Sequence, residues 1–357
     1  MLMHVITNFT ANAGAEAMLS RLLNSAEGDL VVPLMGVSDR YRSAAPASVR
    51  FRPLLATSTL AMGWTIPRLA QIIEEERPSA VLCWMYHAMV VGTLAAKFSR
   101  RSTRLYWNVR QSLDDRSVLS FSTRTALRLS RMLSPSPDAI IFNSERALKL
   151  HRDFGYRNTN MRFIPNGFTV DEPASRVPTA VRVFGIAARL NPQKDYRTFF
   201  KAAAIVARRH PDVRFIAVGL GLSDDNEHVR QMISKSGVPP GSVALAGECS
   251  DMRKFYEDID VLVLSSKTEG FPNVIAEAMS VGRPVISTDV GDASVIVGAA
   301  GIIIRPGDPQ ALAAAMEQMV RLTATEYADL SHAAYNRIAE NYSVKSATEN
   351  YRLLVSA

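Results

Sequence analysis

Apolar runs rich in β-branched residues alternate along the chain with stretches whose apolar positions recur at helical spacing. In the first half, His4 to Phe9, Ala80 to Trp84, Arg104 to Trp107 and Ala139 to Phe142 predict strands. Between and beyond them, Ala15 to Asn24, Ile66 to Glu76, Ala88 to Phe98, Phe121 to Leu133 and Ser144 to Asp153 predict helices. From Asn166 to Pro178 the apolar pattern lapses and Gly167, Pro173 and Pro178 appear, which marks a linker. The rhythm restarts with strands over Val183 to Ala187, Arg214 to Val218, Val243 to Ala246, Val261 to Leu264, Pro284 to Ser287 and Gly301 to Ile304. It closes on helices over Pro309 to Leu322, Ala324 to Tyr342 and Val344 to Val355. Apolar strands that alternate with helices belong to parallel sheets covered on both faces. The predicted fold class is therefore α/β, with two doubly wound domains, residues 1–167 and 168–343, facing across a cleft. Ligands of such sheets bind at the carboxyl ends of the strands.

The length of 357 residues agrees with two domains of ~100 to 200 residues each. The chain carries 41 Lys and Arg against 34 Asp and Glu, a net +7. Residues 1–167 hold 21 basic and 12 acidic side chains, a balance of +9, which leaves 20 and 22, or −2, for the rest. The basic half calls for an anionic partner, whether a phosphorylated substrate, an acidic membrane surface or nucleic acid, unless its arginines merely solvate a surface. Cys83 and Cys249 lie far apart and read as free thiols of a reducing compartment. The start, Met1-Leu2-Met3-His4-Val5, lacks the blocks of a signal peptide, and no apolar run approaches the ~20 residues that span a bilayer. The expected location is cytoplasmic, free or peripheral on the inner face of the cytoplasmic membrane.

The sharpest segment is Ser265-Ser266-Lys267-Thr268-Glu269-Gly270-Phe271-Pro272-Asn273-Val274-Ile275-Ala276-Glu277, directly after the apolar strand Val261 to Leu264. Pro272 suits a first helical turn, where its missing N–H is no loss, and the amides of Asn273 and Val274 would then face an anion. Glu269 precedes that site, and Glu277 lies about five residues beyond Pro272, roughly 7.5 Å along the helix axis. The spacing suits a nucleoside diphosphate sugar, with sugar hydroxyls at Glu269 and ribose hydroxyls at Glu277. From those two carboxylates alone, a capping acid and a plain surface Glu explain the pattern as well. Arg189 and Lys194 tip the balance, because both follow the strand Val183 to Ala187 and Lys194 opens the next helix. A cation at a helix amino terminus opposes the dipole unless an anion sits there. Together the two can clamp a diphosphate and stabilise the charge that develops as it leaves.

On these residues the chain resembles the family 4 glycosyltransferases, retaining enzymes of the GT-B fold, over nearly its whole length. Their signature, a Glu followed after seven residues by a second Glu, is met by Glu269 and Glu277, with Gly270, Phe271, Pro272 and Asn273 in the usual place. Their Arg and Lys phosphate clamp matches Arg189 and Lys194, and Pro165-Asn166-Gly167 matches the segment before the interdomain crossing. The resemblance implies a carboxyl-terminal domain that binds the donor, with Gly270 to Val274 and Glu277 as contacts. It implies an amino-terminal domain that binds the acceptor, and a last helix, about 344–357, that packs back on the first domain. It further implies metal-free chemistry in which the leaving diphosphate takes the acceptor's proton. No cofactor is expected beyond the donor itself, a UDP-sugar first of all.

Weaker positions follow from the same resemblance. In Asn12-Ala13-Gly14-Ala15-Glu16 the family usually has two glycines, so Ala13 is a departure and Gly14 remains a candidate donor contact. Trp84-Met85-Tyr86-His87-Ala88 is similar to a segment of members that build bacterial surface polysaccharides, which makes His87 a candidate to bond the donor sugar or orient the acceptor hydroxyl. Arg110 stands where many members carry His and is a candidate phosphate ligand. The Gly219-Leu220-Gly221 turn and the segment Gly247 to Ser250 are expected near the nucleotide. Asp258-Ile259-Asp260 imitates a metal motif of a different transferase fold but reads better as a helix-to-strand junction.

The basic half shows two clusters. Arg124, Arg128 and Arg131 recur on one helix face among Phe121, Leu127 and Leu129, and Lys97, Arg100, Arg101 and Arg104 form a second group. They suit acceptor phosphates, such as those of a polyprenyl-diphosphate-linked glycan, or an anionic membrane, against the plain reading of a solvated face. A nucleotide-sugar epimerase would want several acids and bases, and only His87 is an obvious base. A nucleic-acid-binding protein would want a reading helix, zinc site or stacking motif, and none is recognisable, so nucleic acid is not an expected partner.

Overall fold

The computed structural model describes residues 1–10, 14–24, 28–59, 61–114, 116, 119–170, 172–173 and 178–356. The loop residues Asn12 and Ala13 and much of the expected linker, 171 and 174–177, lie outside the described residues. The chain forms two compact units, residues 1–167 with the carboxyl-terminal helix, and residues 168–343.

The first unit is built on seven parallel strands. They are β1 (Leu2–Ile6), β2 (Leu30–Pro33), β3 (Arg50–Phe51), β4 (Ala80–Trp84), β5 (Arg104–Val109), β6 (Ala139–Phe142) and β7 (Met161–Phe163). Their order across the sheet is β3-β2-β1-β4-β5-β6-β7. Helices α1 (Gly14–Leu23) and α2 (Asp39–Ala44) cover one face. The other face carries α3 (Ile66–Glu76), α4 (Met85–Phe98), α5 (Phe121–Leu133) and α6 (Glu145–Phe154). The alternation within strands decides the faces: Leu105, Trp107 and Val109 join the core under α3 to α6, while Tyr106 points to the α1 side. All of β4 is buried, as a central parallel strand requires.

The second unit repeats the plan with six parallel strands in the order β10-β9-β8-β11-β12-β13. They are β8 (Val183–Ala187), β9 (Arg214–Val218), β10 (Val243–Gly247), β11 (Val261–Leu264), β12 (Val285–Thr288) and β13 (Gly301–Ile304). Its helices are α7 (Tyr196–Arg209), α8 (Glu227–Ser236), α9 (Met252–Asp258), α10 (Asn273–Met279), α11 (Ala293–Val297), α12 (Pro309–Val320) and α13 (Ala324–Asn341). The last helix, α14 (Val344–Ser356), belongs to the first unit, where Ala347 and Tyr351 join the α1 side of the core. Gly167 makes room for it: a Cβ there would stand 2.7 Å from the Cα of Val344.

Among the differences from the predicted elements, two have a clear local cause. The first strand covers Leu2–Ile6 and not His4 to Phe9, because the Leu2 amide is held by the Asp29 carboxylate at 2.8 Å and Phe9 leaves to form an isolated bridge with Val37. Helix α4 starts at Met85, three residues earlier than its apolar pattern suggests. Met85 takes a left-handed φ of 68°, which turns the chain from strand to helix with no intervening loop.

Candidate functional site

Strand order reverses in the second unit between β8 and β11, which pair directly through Phe184 with Val261 and Gly185 with Leu262. Such a reversal leaves a crevice beyond the carboxyl ends of the two strands, since the following loops diverge to opposite faces. The loop after β8 carries Arg189 and Lys194, and the loop after β11 carries Glu269. The Lys194 ammonium donates to Glu269 Oε1 at 2.5 Å. The Ser266 hydroxyl donates to the same oxygen at 2.6 Å.

The backbone around this pair is tied down. The Lys267 amide donates to the Gln193 carbonyl at 2.7 Å, joining the two loops, and the Ser265 hydroxyl donates to the Lys194 carbonyl at 2.8 Å. Asp195 adopts a left-handed φ of 46°, and its buried carboxylate caps α7 by accepting from the Thr198 amide and also accepts from the Thr198 hydroxyl at 2.8 Å. Thr288, at the end of β12, donates its hydroxyl to the Ser266 carbonyl at 2.7 Å. Gly291 approaches the Glu269 and Gly270 carbonyls so closely that a Cβ would stand 2.7 and 2.2 Å from them. Gly219 likewise lies against the Ala188 carbonyl, and its amide donates to the Gly247 carbonyl at 2.7 Å, which ties the loops after β8 and β9 to the end of β10. Sequence reasoning named Gly219 and Gly247, quoted Ser265 and Ser266 within the sharpest segment without a role, and missed Thr288 and Gly291. The available signal was position alone: each follows or ends a strand at the loaded edge of the sheet.

The remaining candidates of this unit divide. Arg189 is exposed on the loop after β8 that also carries Lys194. Glu277 sits in α10, and the Tyr256 hydroxyl donates to its Oε2 at 2.9 Å. Pro272 caps α10 from outside and is not in its first turn; its carbonyl accepts from the Ile275 amide at 3.1 Å. Asn273 and Val274 begin the helix, half-buried. Phe271 turns inward, stacked on Phe168 and edge-on to Tyr342, so its ring anchors the loop from below. Asp260 is buried, and its carboxylate accepts from the Arg182 and Val183 amides at 2.7 and 2.8 Å, as befits a junction between α9 and β11.

In the first unit, Gly14 opens α1, and the next candidates follow β4 and β5. His87 lies in the first turn of α4, half-buried; burial lowers its pKa, a backbone hydrogen bond at Ser122 opposes this, and Nε2 has no partner among the described residues. Arg110 is held by Asn108, at 2.8 Å, and by Asn166 and the Tyr351 hydroxyl, with its guanidinium 5.3 Å from the Trp84 ring centre. These bonds join the end of β5 to the Pro165-Asn166-Gly167 segment and to α14. Arg124, Arg128 and Arg131 are exposed along α5, remote from Arg110 in role. Leu127, named with them, is buried in the core. Among the described residues no cluster of three or more His, Cys, Asp or Glu could hold a metal ion, and no helix is long and apolar enough to cross a membrane.

Two family descriptions match the chain: Glycosyltransferase Family 4 over residues 19–172 and Glycosyl transferases group 1 over residues 181–321. A D-inositol 3-phosphate glycosyltransferase of Corynebacterium urealyticum is 29% identical over 209 residues, 54% of this chain and 49% of that protein. The lipopolysaccharide core biosynthesis glycosyltransferase LpsE of Rhizobium meliloti is 28% identical over 229 residues, 62% and 64% of the two chains. The matched stretch thus spans about half to two thirds of these relatives. Anabaena HepE, solved with UDP-glucose, superposes with a TM-score of 0.83 at 20% identity, covering 100% of this chain and 99% of that one. The fold is GT-B, and the chain belongs to the glycosyltransferases of family 4, with a second half of the group 1 type.

Proposed function

We propose that the protein is a retaining, metal-independent glycosyltransferase of surface polysaccharide biosynthesis. It moves a hexose or N-acetylhexosamine from a nucleotide sugar, UDP-linked, to a lipid-linked glycan at the cytoplasmic side of an anionic membrane. One observation carries the reading: the Lys194–Glu269 pair at the β8/β11 reversal, with Arg189 exposed on the same loop as Lys194. LpsE, named for lipopolysaccharide core biosynthesis, and the HepE complexes with UDP and UDP-glucose support the glycan acceptor and the uridine donor.

In this reading the donor diphosphate lies over Arg189 and Lys194. As the bond from the sugar C1 to the diphosphate breaks, negative charge grows on the leaving oxygen and the two cations stabilise it. The acceptor hydroxyl forms its bond to C1 on the same face, and its proton passes to the departing diphosphate. Atoms and charge then balance without a protein base. Glu269 Oε1 is committed to Lys194 and Ser266, which leaves Oε2 to accept a hydroxyl of the transferred sugar. Glu277, steadied by Tyr256, accepts from the ribose, and backbone groups from Gly270 to Val274 line the diphosphate. Gly14 is the donor contact proposed for the first unit, and His87, whose pKa burial lowers, is the group proposed to hydrogen-bond the acceptor hydroxyl or the sugar. Donor-dependent nucleotide release, measured across a panel of nucleotide sugars with lipid-linked acceptors, tests the reading. Absence of both turnover and nucleotide binding would sink it.

A further inference from the structure

The helical layer over one face of the first unit has an outer surface that its core does not explain. The turn Ala61–Thr65 and helices α3, α4 and α5 share one core through Met62, Leu69, Met89 and Leu127. On the outside of the same layer, Trp64 is 88% exposed, Phe98 72%, Phe121 77% and Met132 72%. Among the described residues the second unit exposes Leu220 and Val295 in this way, and no aromatic ring. Single exposed apolar side chains are ordinary, but a collection on one layer marks an interaction surface.

Helix α5 gives that surface its chemistry. Its sequence from Phe121 to Leu133 contains no carboxylate. At 100° per residue, Phe121, Thr125, Arg128 and Met132 form one outward stripe, with Arg124 and Arg131 on one flank and Leu129 on the other. All seven are exposed, while Ala126, Leu127 and Ser130 face the core. Arg124 and Arg128 form no ion pair among the described residues. Helix α4 packs beside α5 and ends in exposed Lys97 and Phe98, followed by exposed Arg100 and Arg101. Both helices connect parallel strands and run the same way, so Phe98 and Met132 lie toward one end of the layer and Trp64 and Phe121 toward the other.

We propose that this outer surface, centred on α5, is the face by which the protein lies on an anionic lipid bilayer. Trp64, Phe98, Phe121 and Met132 enter the interfacial zone, and Arg124 and Arg128 pair with headgroup phosphates. Arginine suits that role, since its planar fork bonds phosphate while its stem rests on apolar surface. Apolar side chains interleaved with cations are what an interfacial helix requires. A second copy of the chain is disfavoured, because an isologous contact through this face would set the arginines of α5 against themselves. The inference gives the membrane contact of the proposed function an address, and its test needs no turnover, so its failure would leave the transfer reading intact.

Flotation of the full chain with vesicles decides it. The protein floats with phosphatidylcholine vesicles that contain phosphatidylglycerol, not with phosphatidylcholine alone, and less so as salt rises. Replacing Arg124→Ala and Arg128→Ala weakens binding about fivefold for each residue. Phe121→Ser with Met132→Ser weakens it about tenfold. Lys235→Ala with Arg305→Ala, exposed in the second unit, leaves it unchanged. The replaced side chains are exposed, so melting temperatures stay at the parent value. Unchanged flotation of the combined four-residue variant would overturn the proposal. Equal binding to neutral vesicles, equal loss in the second-unit variant, or a dimer in solution that the α5 substitutions disperse would do the same.

Discussion

The two units share a plan of parallel strands with one reversal of order, yet they treat the polar groups at the carboxyl edge differently. In the second unit, most of the candidate groups at that edge are paired, exposed Arg189 excepted: Lys194 and Ser266 on Glu269, Tyr256 on Glu277, Thr198 on Asp195, Thr288 on the Ser266 carbonyl. In the first, the buried side-chain atoms without a partner among the described residues, Thr7 Oγ1, Ser38 Oγ, His87 Nε2 and Asn143 Oδ1, all follow strands. Arg110, the cation at the end of β5, is engaged by Asn108, Asn166 and Tyr351. The fold therefore supplies a position, and the loops decide whether it holds fixed charge or open hydrogen-bonding capacity. Fixed charge suits a diphosphate whose charge must be met without reorganisation; open capacity suits varied hydroxyls.

The largest expected effect breaks the comparison at its charged end. Lys194→Ala or Glu269→Ala lowers kcat/KM by about 10²-fold or more, as for loss of one electrostatic stabiliser. Arg110→Ala in the first unit should instead act on melting temperature, because it leaves Asn166 and Tyr351 without their shared partner. Steady-state kinetics beside thermal denaturation separates the two. Equal kinetic loss at both positions would end the assignment of the chemistry to the second unit.

The next effect belongs to the first unit alone. His151 is buried in α6, where the Tyr86 hydroxyl meets Nε2 at 2.8 Å and the Ala147 carbonyl meets Nδ1 at 2.7 Å. Burial lowers its pKa from 6.5 to about 4. The unfolded chain therefore binds a proton that the folded chain refuses, so this stabilisation is complete above pH 6.5 and is lost as pH falls toward 4. The expected loss is on the order of 3 kcal/mol. Denaturant titrations across that window check it, and His151→Gln should flatten the dependence.

How far this contrast can be read from sequence depends on length and contact order. Apolar runs such as Val261 to Leu264 and periodic helices such as Phe121–Leu133 were legible at their observed bounds. Strands Arg50–Phe51 and Met161–Phe163 and the helix Asp39–Ala44 were not, since so few residues show no period and tertiary pairing selects them. Leu30–Pro33 was missed although it is as long and as apolar as Val261–Leu264. At the site, Glu269, Glu277, Arg189 and Lys194 announced themselves by charge at strand ends. Ser266, Thr288 and Gly291 did not, because a small residue carries no signal until the partner brought by another strand is known. The inward turn of Phe271 was equally hidden, for Phe168 and Tyr342 reach it from distant sequence.

Gly291 sharpens the comparison at intermediate size. It combines φ 55° with an approach of 2.2 Å between a notional Cβ and the Gly270 carbonyl. Backbone cannot yield as a side-chain tip can, so Gly291→Ala should cost about 2 kcal/mol of stability. It should also displace the Glu269 loop and weaken nucleotide binding. Gly28, with φ 74° but open space around it, has the same conformational need without the collision, so Gly28→Ala should destabilise less. Matched melting curves of the two variants distinguish close approach from φ alone.

The smallest expected effect asks whether the pairing at Glu269 positions the carboxylate or only neutralises it. Ser266 is buried, and its hydroxyl shares Glu269 Oε1 with Lys194. Ser266→Ala removes one hydrogen bond to a charged group while Lys194 keeps the charge balanced, so the fold should persist. If orientation matters, Oε2 no longer meets the sugar hydroxyl at a fixed angle, and kcat falls about tenfold with little change in KM for the donor. If the pair serves only charge, kcat holds. A rise in donor KM at constant kcat would assign Ser266 to ground-state binding, and the contrast between a fixed second-unit edge and an open first-unit edge would then rest on Lys194 and Glu269 alone.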